Sequence, residues 1–148
     1  MESTEEKQIR ITGTFNFPID VLWDAWTSPD HVAKWWGPDG FTNTIHKMDL
    51  QKGGEWNLTM HGPDGTNYPN RSVFREIIPQ KKIVFEHFNP HFFTTIVFRS
   101  EGNKTYIDWT MLFETAEMRE TIIKANKADE GLKQNMERLE KYLSQLHA

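Results

Sequence analysis

The sequence predicts an α+β fold: a curved antiparallel sheet of about six or seven strands around a long C-terminal helix, with two short helices after strand one. Three observations predict it. Between positions 42 and 113 apolar and polar residues alternate in runs broken by turn signals, the period of half-buried strands joined in an antiparallel meander. Leu132, Met136, Leu139, Leu143 and Leu146 recur at three- and four-residue spacing, which writes one narrow apolar stripe along a charged helix. Between Pro18 and Pro38 the chain carries two helix starts and a glycine-proline stop.

Each element has its own local reason. Ile9, Ile11, Gly13, Phe15 and Phe17 share one face of a first strand, after a loose, solvated start over 1–7. Pro18 interrupts the ladder, and its fixed φ suits the first turn of a helix; Val21, Leu22, Ala25 and Trp26 follow at helical spacing. Ser28-Pro29-Asp30 opens a second helix, with Ser28 as the capping side chain and proline at the first position. Val32, Trp35 and Trp36 form its apolar face, and Gly37-Pro38 ends it. Strands are expected over 42–50, around Trp56, Leu58 and Met60, and over 71–78, 83–88, 92–99 and 105–113. Gly62-Pro63-Asp64-Gly65 turns the chain between two of them. Thr115 caps a further helical region, which bends within 126–130 before the long helix. The stripe of that helix needs an apolar partner, and the concave sheet face is the only one large enough. A straight helix and a bent sheet close imperfectly, so a cavity is expected beneath the short helices.

The 148 residues fit a single domain spanning 1–148. Aromatics make up 13% of a chain that is 37% hydrophobic, so its apolar surface is concentrated in large rings. Lys plus Arg number 17 against 21 for Asp plus Glu, a net charge of −4, which argues against broad nucleic-acid binding through phosphates. The absence of cysteine excludes disulfides, thiolate catalysis and cysteine-type zinc sites. No run has the length of a membrane span and the start has no apolar leader core, so a cytoplasmic protein is expected. His87 and His91 are four apart, but Asn89-Pro90 between them rules out one zinc-binding helix face. No metal and no cofactor are expected. The serines lack a nucleophile elbow and the strand acids lack acid–base pairing, so a binding protein is favoured over an enzyme.

Four of the six tryptophans, Trp23, Trp26, Trp35 and Trp36, fall within fourteen positions. Trp35 and Trp36, beside the glycine-proline stop, are expected to gate the cavity. Trp56, Phe74, Phe92, Phe98, Trp109 and Met136 are expected to line it. His87, on the strand face of Ile83 and Phe85, and Arg75, a bidentate partner for a carboxylate or phosphate, are the candidate polar anchors. The plainer alternative is a filled core, because burying a large side chain stabilises a fold by about 1.5–3 kcal/mol with or without a ligand. For Arg75 the plainer alternative is an exposed ion pair on the sheet. Lys133, Glu137, Arg138, Glu140 and Lys141 read as the solvated face of the last helix.

The stretch from Val21 through Trp26-Thr27-Ser28-Pro29 into Trp35-Trp36-Gly37-Pro38 carries a family resemblance. With Gly53-Gly54-Glu55-Trp56, Met60-His61-Gly62-Pro63-Asp64-Gly65, Tyr68-Pro69-Asn70-Arg71 and Met136-Glu137-Arg138-Leu139, it resembles the C-terminal domain type of the activators of heat-shock protein 90 ATPase. These belong to the START-like, birch-pollen-allergen-like (SRPBCC) superfamily. The resemblance covers about 9–146 and implies the helix-grip fold with a hydrophobic cavity. It carries over no catalytic residue, since the superfamily hosts carriers, receptors, cyclases and co-chaperones on one scaffold.

Three functions follow in order. The first is binding of a small, largely hydrophobic molecule, lipid-like or aromatic, between sheet and long helix, by a monomer or homodimer. The second is a co-chaperone-like interaction module that modulates a chaperone ATPase. The third is a cavity enzyme of cyclase or hydrolase type, which calls for buried polar groups with shifted pKa values.

Overall fold

A computed structural model describes residues 3–147; Met1, Glu2 and Ala148, the ends of the expected domain, lie outside the described residues. The elements run in the order β1 (Gln8–Phe15), α1 (Ile19–Thr27), α2 (Pro29–Trp35), β2 (Thr42–Met48), β3 (Glu55–His61), β4 (Asn67–Ile78), β5 (Lys82–Phe88), β6 (Phe92–Glu101), β7 (Lys104–Leu112), α3 (Ala116–Asn126) and α4 (Ala128–Leu146). The start expected to be loose carries a one-turn 3-10 helix at Glu5–Lys7. It is tied down because the Phe113 amide donates to the Lys7 carbonyl.

Seven strands form one antiparallel sheet in the order β1-β7-β6-β5-β4-β3-β2. Strands β2 to β7 are a plain meander, and β1 pairs with β7 at the far edge. The α1–α2 pair therefore carries the chain from one edge of the sheet to the other. Strand alternation sorts the residues. Trp56 and Leu58 of β3, Ser72 and Phe74 of β4, Ile83, Phe85 and His87 of β5, Thr94, Ile96 and Phe98 of β6, and Ile107 and Trp109 of β7 are buried on the inner face. In register they form cross-strand rows: Trp56, Ser72, His87 and Phe92 make one, and Phe74, Phe85, Thr94 and Met111 the next.

Helix α4 lies over this face, with Leu132, Asn135, Met136, Leu139 and Leu143 buried. Leu146, the last residue of the predicted stripe, is 49% exposed; it closes the helix beyond the sheet. Lys127, in the left-handed region at φ 51°, joins α3 to α4, at the bend expected within 126–130. Thr115 caps α3, its side chain accepting from the Met118 amide at 3.1 Å. Ser28 differs from expectation: it is the N-cap of α2, but its side chain makes no capping hydrogen bond. The Ser28 carbonyl instead accepts from the amides of His31 and Val32.

The stripe thus runs from fully buried members, Leu139 and Leu143, to the half-exposed Leu146, and truncation separates the two kinds. Leu139, with 0% exposure, is expected to lose about 2–5 kcal/mol on change to Ala, whereas Leu146→Ala changes stability by less than about 0.5 kcal/mol. Urea unfolding of the two variants measures both.

Candidate functional site

The end of α2 sets up the site. Helix α2 stops at Trp35, Trp36 is extended at φ −67° and ψ 137°, and Gly37 takes a left-handed φ of 97°. A side chain at Gly37 would meet the Met60 methyl at 2.9 Å, so glycine alone fits this turn. The reversal lays the Trp36 ring on the sheet. Its centroid lies 4.9 Å from Trp56 and 5.5 Å from Trp109, and it also touches Trp26, Trp35 and Phe85.

Side chains of α4 hold this bend. Asn135, 5% exposed, accepts from the Gly37 amide at 3.1 Å and donates to the Trp35 carbonyl at 2.9 Å. Arg138 donates from Nη1 to the carbonyls of Trp36, Gly37 and Pro38 at 3.0, 2.9 and 2.8 Å. Its Nη2 donates to the Phe41 carbonyl at 2.9 Å. Burial pushes the Arg138 guanidinium below its usual range, opposed by the charge of Asp39; it stays cationic at any ordinary pH. Arg138 was expected on a solvated face. The structure corrects that: its partners are carbonyls about a hundred residues away in sequence, a relation that helical spacing cannot report. Asn43 of β2 adds a donation to the Trp36 carbonyl at 2.8 Å.

Beneath the bend lies a cavity of about 220 Å³. The sheet supplies Trp56, Leu58, Met60, Asn70, Ser72, Phe85, His87, Phe92, Thr94, Trp109 and Met111; α4 supplies Ala128, Gly131, Leu132 and Asn135; Trp36, Gly37 and Pro38 form the roof. A Cβ at Gly131 would meet Pro38 at 3.3 Å, so helix and roof touch there.

Of the predicted site residues, the structure brings together Trp36, Trp56, His87, Phe92 and Trp109. The other five lie elsewhere. Trp35 has 0% exposure and donates its indole N–H to the Ala25 carbonyl at 3.0 Å, pinning α2 to α1. Phe74 stacks behind Trp56, 5.8 Å away and nearly parallel. Phe98 packs under α1 against Trp23 and Trp26. Met136 lies over β1, near enough that a Cβ on Gly13 would meet its methyl at 3.1 Å. Arg75 sits at the bulge between Phe74 and Glu76, on the outer face, with Nη2 2.7 Å from Glu86. Glu86 alternates with the buried Phe85 and His87 along β5, so its ion pair with Arg75 lies on the outer face. Contacts with His91 and Arg75 hold the Glu86 carboxyl below its usual range. Asn70, Ser72 and Thr94, which share the parity of inward-facing strand residues, and Asn135, beside Met136 on α4, also line the cavity.

His87 is the one titratable group of the lining. Its ring stacks on Phe92, centroids 4.4 Å apart. Nδ1–H donates to the Pro90 carbonyl at 2.8 Å, and Nε2 lies 2.7 Å from Asn70 Oδ1. Burial lowers its pKa, with the Pro90 carbonyl acting in the opposite sense and the charge of His91 adding to the lowering. Trp56 Nε1, Trp109 Nε1 and Thr94 Oγ1 are buried and have no hydrogen-bond partner among the described residues. Among the described residues no group of three His, Asp or Glu side chains could hold a metal ion, and no helix is long and apolar enough to cross a membrane.

A long α4 held in a bent seven-stranded sheet, with an apolar cavity between them, defines the START-like helix-grip class. The sequence profile of the Activator of Hsp90 ATPase homolog 1-like proteins matches residues 16–144, and the chain belongs to that family. A protein of Nitrosomonas europaea has the same fold at a TM-score of 0.87 and 21% identity, over 99% of both chains. One of Mycobacterium smegmatis matches at 0.87 and 22% identity, over 99% of this chain and 97% of its own. An AHSA1-like protein of Aeromonas hydrophila matches at 0.72 and 18%, over 93% of this chain and 94% of its own. No curated protein matches the chain.

Two outcomes follow from this geometry. Arg138→Met is expected to lower stability by about 1.5–3 kcal/mol, the scale for hydrogen bonds to a charged group. Amide exchange should accelerate over 36–41 more than in the central strands. The second concerns His87. Its pKa is lower folded than the ordinary 6.5, so the unfolded chain binds more protons near pH 6. The stability it contributes is complete above 6.5 and is lost as pH falls through the folded value. His87→Gln should flatten the decline of Tm on acidification from pH 7 to pH 5.

Proposed function

We propose that this chain binds a small, largely apolar molecule in the cavity between sheet and α4. The observation that carries the proposal is the cavity itself. Rings and aliphatic side chains form most of its wall, with a few polar groups among them, the usual composition of a small-molecule site. Binding would remove apolar surface from water, and the polar groups would set orientation. Trp36, Trp56 and Phe92 carry the apolar contact in this reading, with His87 as the polar anchor.

A second reading, a docking module for a protein partner such as a chaperone, has a different support: Phe93 and Val97 stand on the outer face of β6 at 36% and 39% exposure.

Three cavity tryptophans make the protein its own reporter. In titrations with lipids, flavonoids and aromatic compounds, a true ligand should shift the tryptophan emission saturably. At a hundredfold excess over Kd it should add about 2.7 kcal/mol of stability, a rise of several degrees in Tm. Ala128→Trp, at the half-buried edge of the cavity, should abolish this response and leave the fold intact. A flat response across the panel from folded protein would sink the container reading and favour the outer face.

A further inference from the structure

We propose that the cavity selects an uncharged aromatic molecule of one or two rings that carries a hydrogen-bond acceptor, held by the Trp56 and Trp109 indole N–H groups and the Thr94 hydroxyl. This inference rests on the container reading above and narrows its ligand.

The acceptor follows from the polar accounting. Trp56, Trp109 and Thr94 are 3%, 3% and 1% exposed, and their side-chain polar atoms make no hydrogen bond among the described residues. All three line the cavity. An indole N–H can only donate, and buried donors in native proteins nearly always have a partner. Trp35 shows the ordinary outcome, its N–H bound to the Ala25 carbonyl, while Trp26, outside the cavity lining, also has an unpaired indole N–H. The two unpaired indoles of the lining flank Trp36, whose ring touches both. A carbonyl or ring oxygen reaches these atoms only by displacing the rings packed around them, and then meets donors that are already desolvated.

Neutrality follows from the rest of the wall. Among the described residues no Asp, Glu, Lys or Arg side chain lines the cavity. The nearest cation in the roof, Arg138, is spent on backbone carbonyls. His87, the titratable group of the lining, is pushed towards its neutral form by burial, so a carboxylate would leave water without gaining a counter-charge, which is strongly unfavourable in an apolar site.

Size and shape follow from the volume and the rings. About 220 Å³ lies between the roughly 150 Å³ that accepts a benzene and the roughly 300 Å³ where drug-sized sites begin. Trp36 and Trp109 are within 25° of parallel, and His87 and Phe92 within 14°. These pairs are stacked on each other, so a planar guest would lie along their free faces and edges, beside Trp56 and Phe85.

Three naphthalenes of nearly equal size test the inference by calorimetry and Tm shift: 2-acetylnaphthalene, 2-ethylnaphthalene and 2-naphthoate. The ketone should bind about three- to tenfold more tightly than the ethyl compound, the range of one net hydrogen bond, and naphthoate more weakly than both. Thr94→Val should keep or raise the Tm of the free protein, because it removes an unpaired hydroxyl with little change of shape. It should bring the ketone down towards the ethyl compound, whose affinity stays unchanged. Trp56→Phe, which keeps a ring and removes a donor, should act in the same direction. Equal binding of all three, tightest binding of naphthoate, or equal loss for ketone and ethyl compound in both variants would overturn the inference and leave the container standing. Binding of none of the three would overturn both.

Discussion

The structure turns on a helix end that stops inside the protein. The last carbonyls of any helix lack intrahelical partners; at the end of α2 and in the bend after it they are taken by side chains of β2 and α4 rather than by water. Asn135 and Arg138 answer them, reaching the carbonyls of Trp35, Trp36, Gly37, Pro38 and Phe41. One guanidinium, planar and rich in donors, thereby fixes a bend that no regular ladder could reach. The consequence travels outward from there. The bend holds Trp36 over the sheet, and Trp36 holds apart the space between β3, β7 and α4. Apolar burial supplies the bulk of the stabilisation, but a non-directional force cannot decide where a chain reversal sits. Directional bonds to the backbone can.

Polar groups around the cavity are not all treated alike. On the roof, the amide of Gly37 and the carbonyls after α2 are bonded to α4. On the floor, two indole donors and a hydroxyl are buried without partners. An unpaired buried donor costs about 1–3 kcal/mol, and whole domains are stable by only about 5–15 kcal/mol. A filled core would place Phe, Leu or Val at these positions and avoid the cost. Sequences that break a packing rule at several adjacent positions do so chiefly where function sits. The same contrast separates the two tryptophans of the pair: Trp35 is bonded and entirely buried, while Trp36 is half-buried over the open space.

Much of the scaffold was legible in the sequence because it rests on local periods. The strand alternation, the glycine and proline stops and the α4 stripe each fit within a few residues, and the elements fall where those signals put them. The long-range partners were not legible. Arg138 looked like one more charge on a solvated helix face, because nothing near it in sequence shows that carbonyls from 36–41 will come to rest on it. Phe98 by strand parity and Met136 by its place in the α4 stripe both face inward, yet neither signal tells which end of a long trough is open. Phe98 lies under α1, and Met136 lies on β1 against Gly13. Arg75 was the reverse case, since its parity against Phe74 already argued for the outer face. Thr94 and Ser72 shared the parity of Phe74 and Phe92 and were passed over because small polar residues in strands carry no pattern of their own.

Fold and contents therefore come from different parts of this sequence. Glycine turns, strand parity and the α4 stripe specify a backbone, and chains only 21–22% identical share it almost over their whole length. Such likeness speaks for the container alone. What the container accepts depends on a handful of side chains whose replacement would leave every one of those backbone signals intact. Thr94 could become Val, or Trp109 Phe, without altering a period, a cap or a turn. Chemistry at such positions is free to vary beneath a constant shape, so the family name describes the vessel. The unpaired polar atoms of Trp56, Trp109 and Thr94 are features that this shared backbone does not specify.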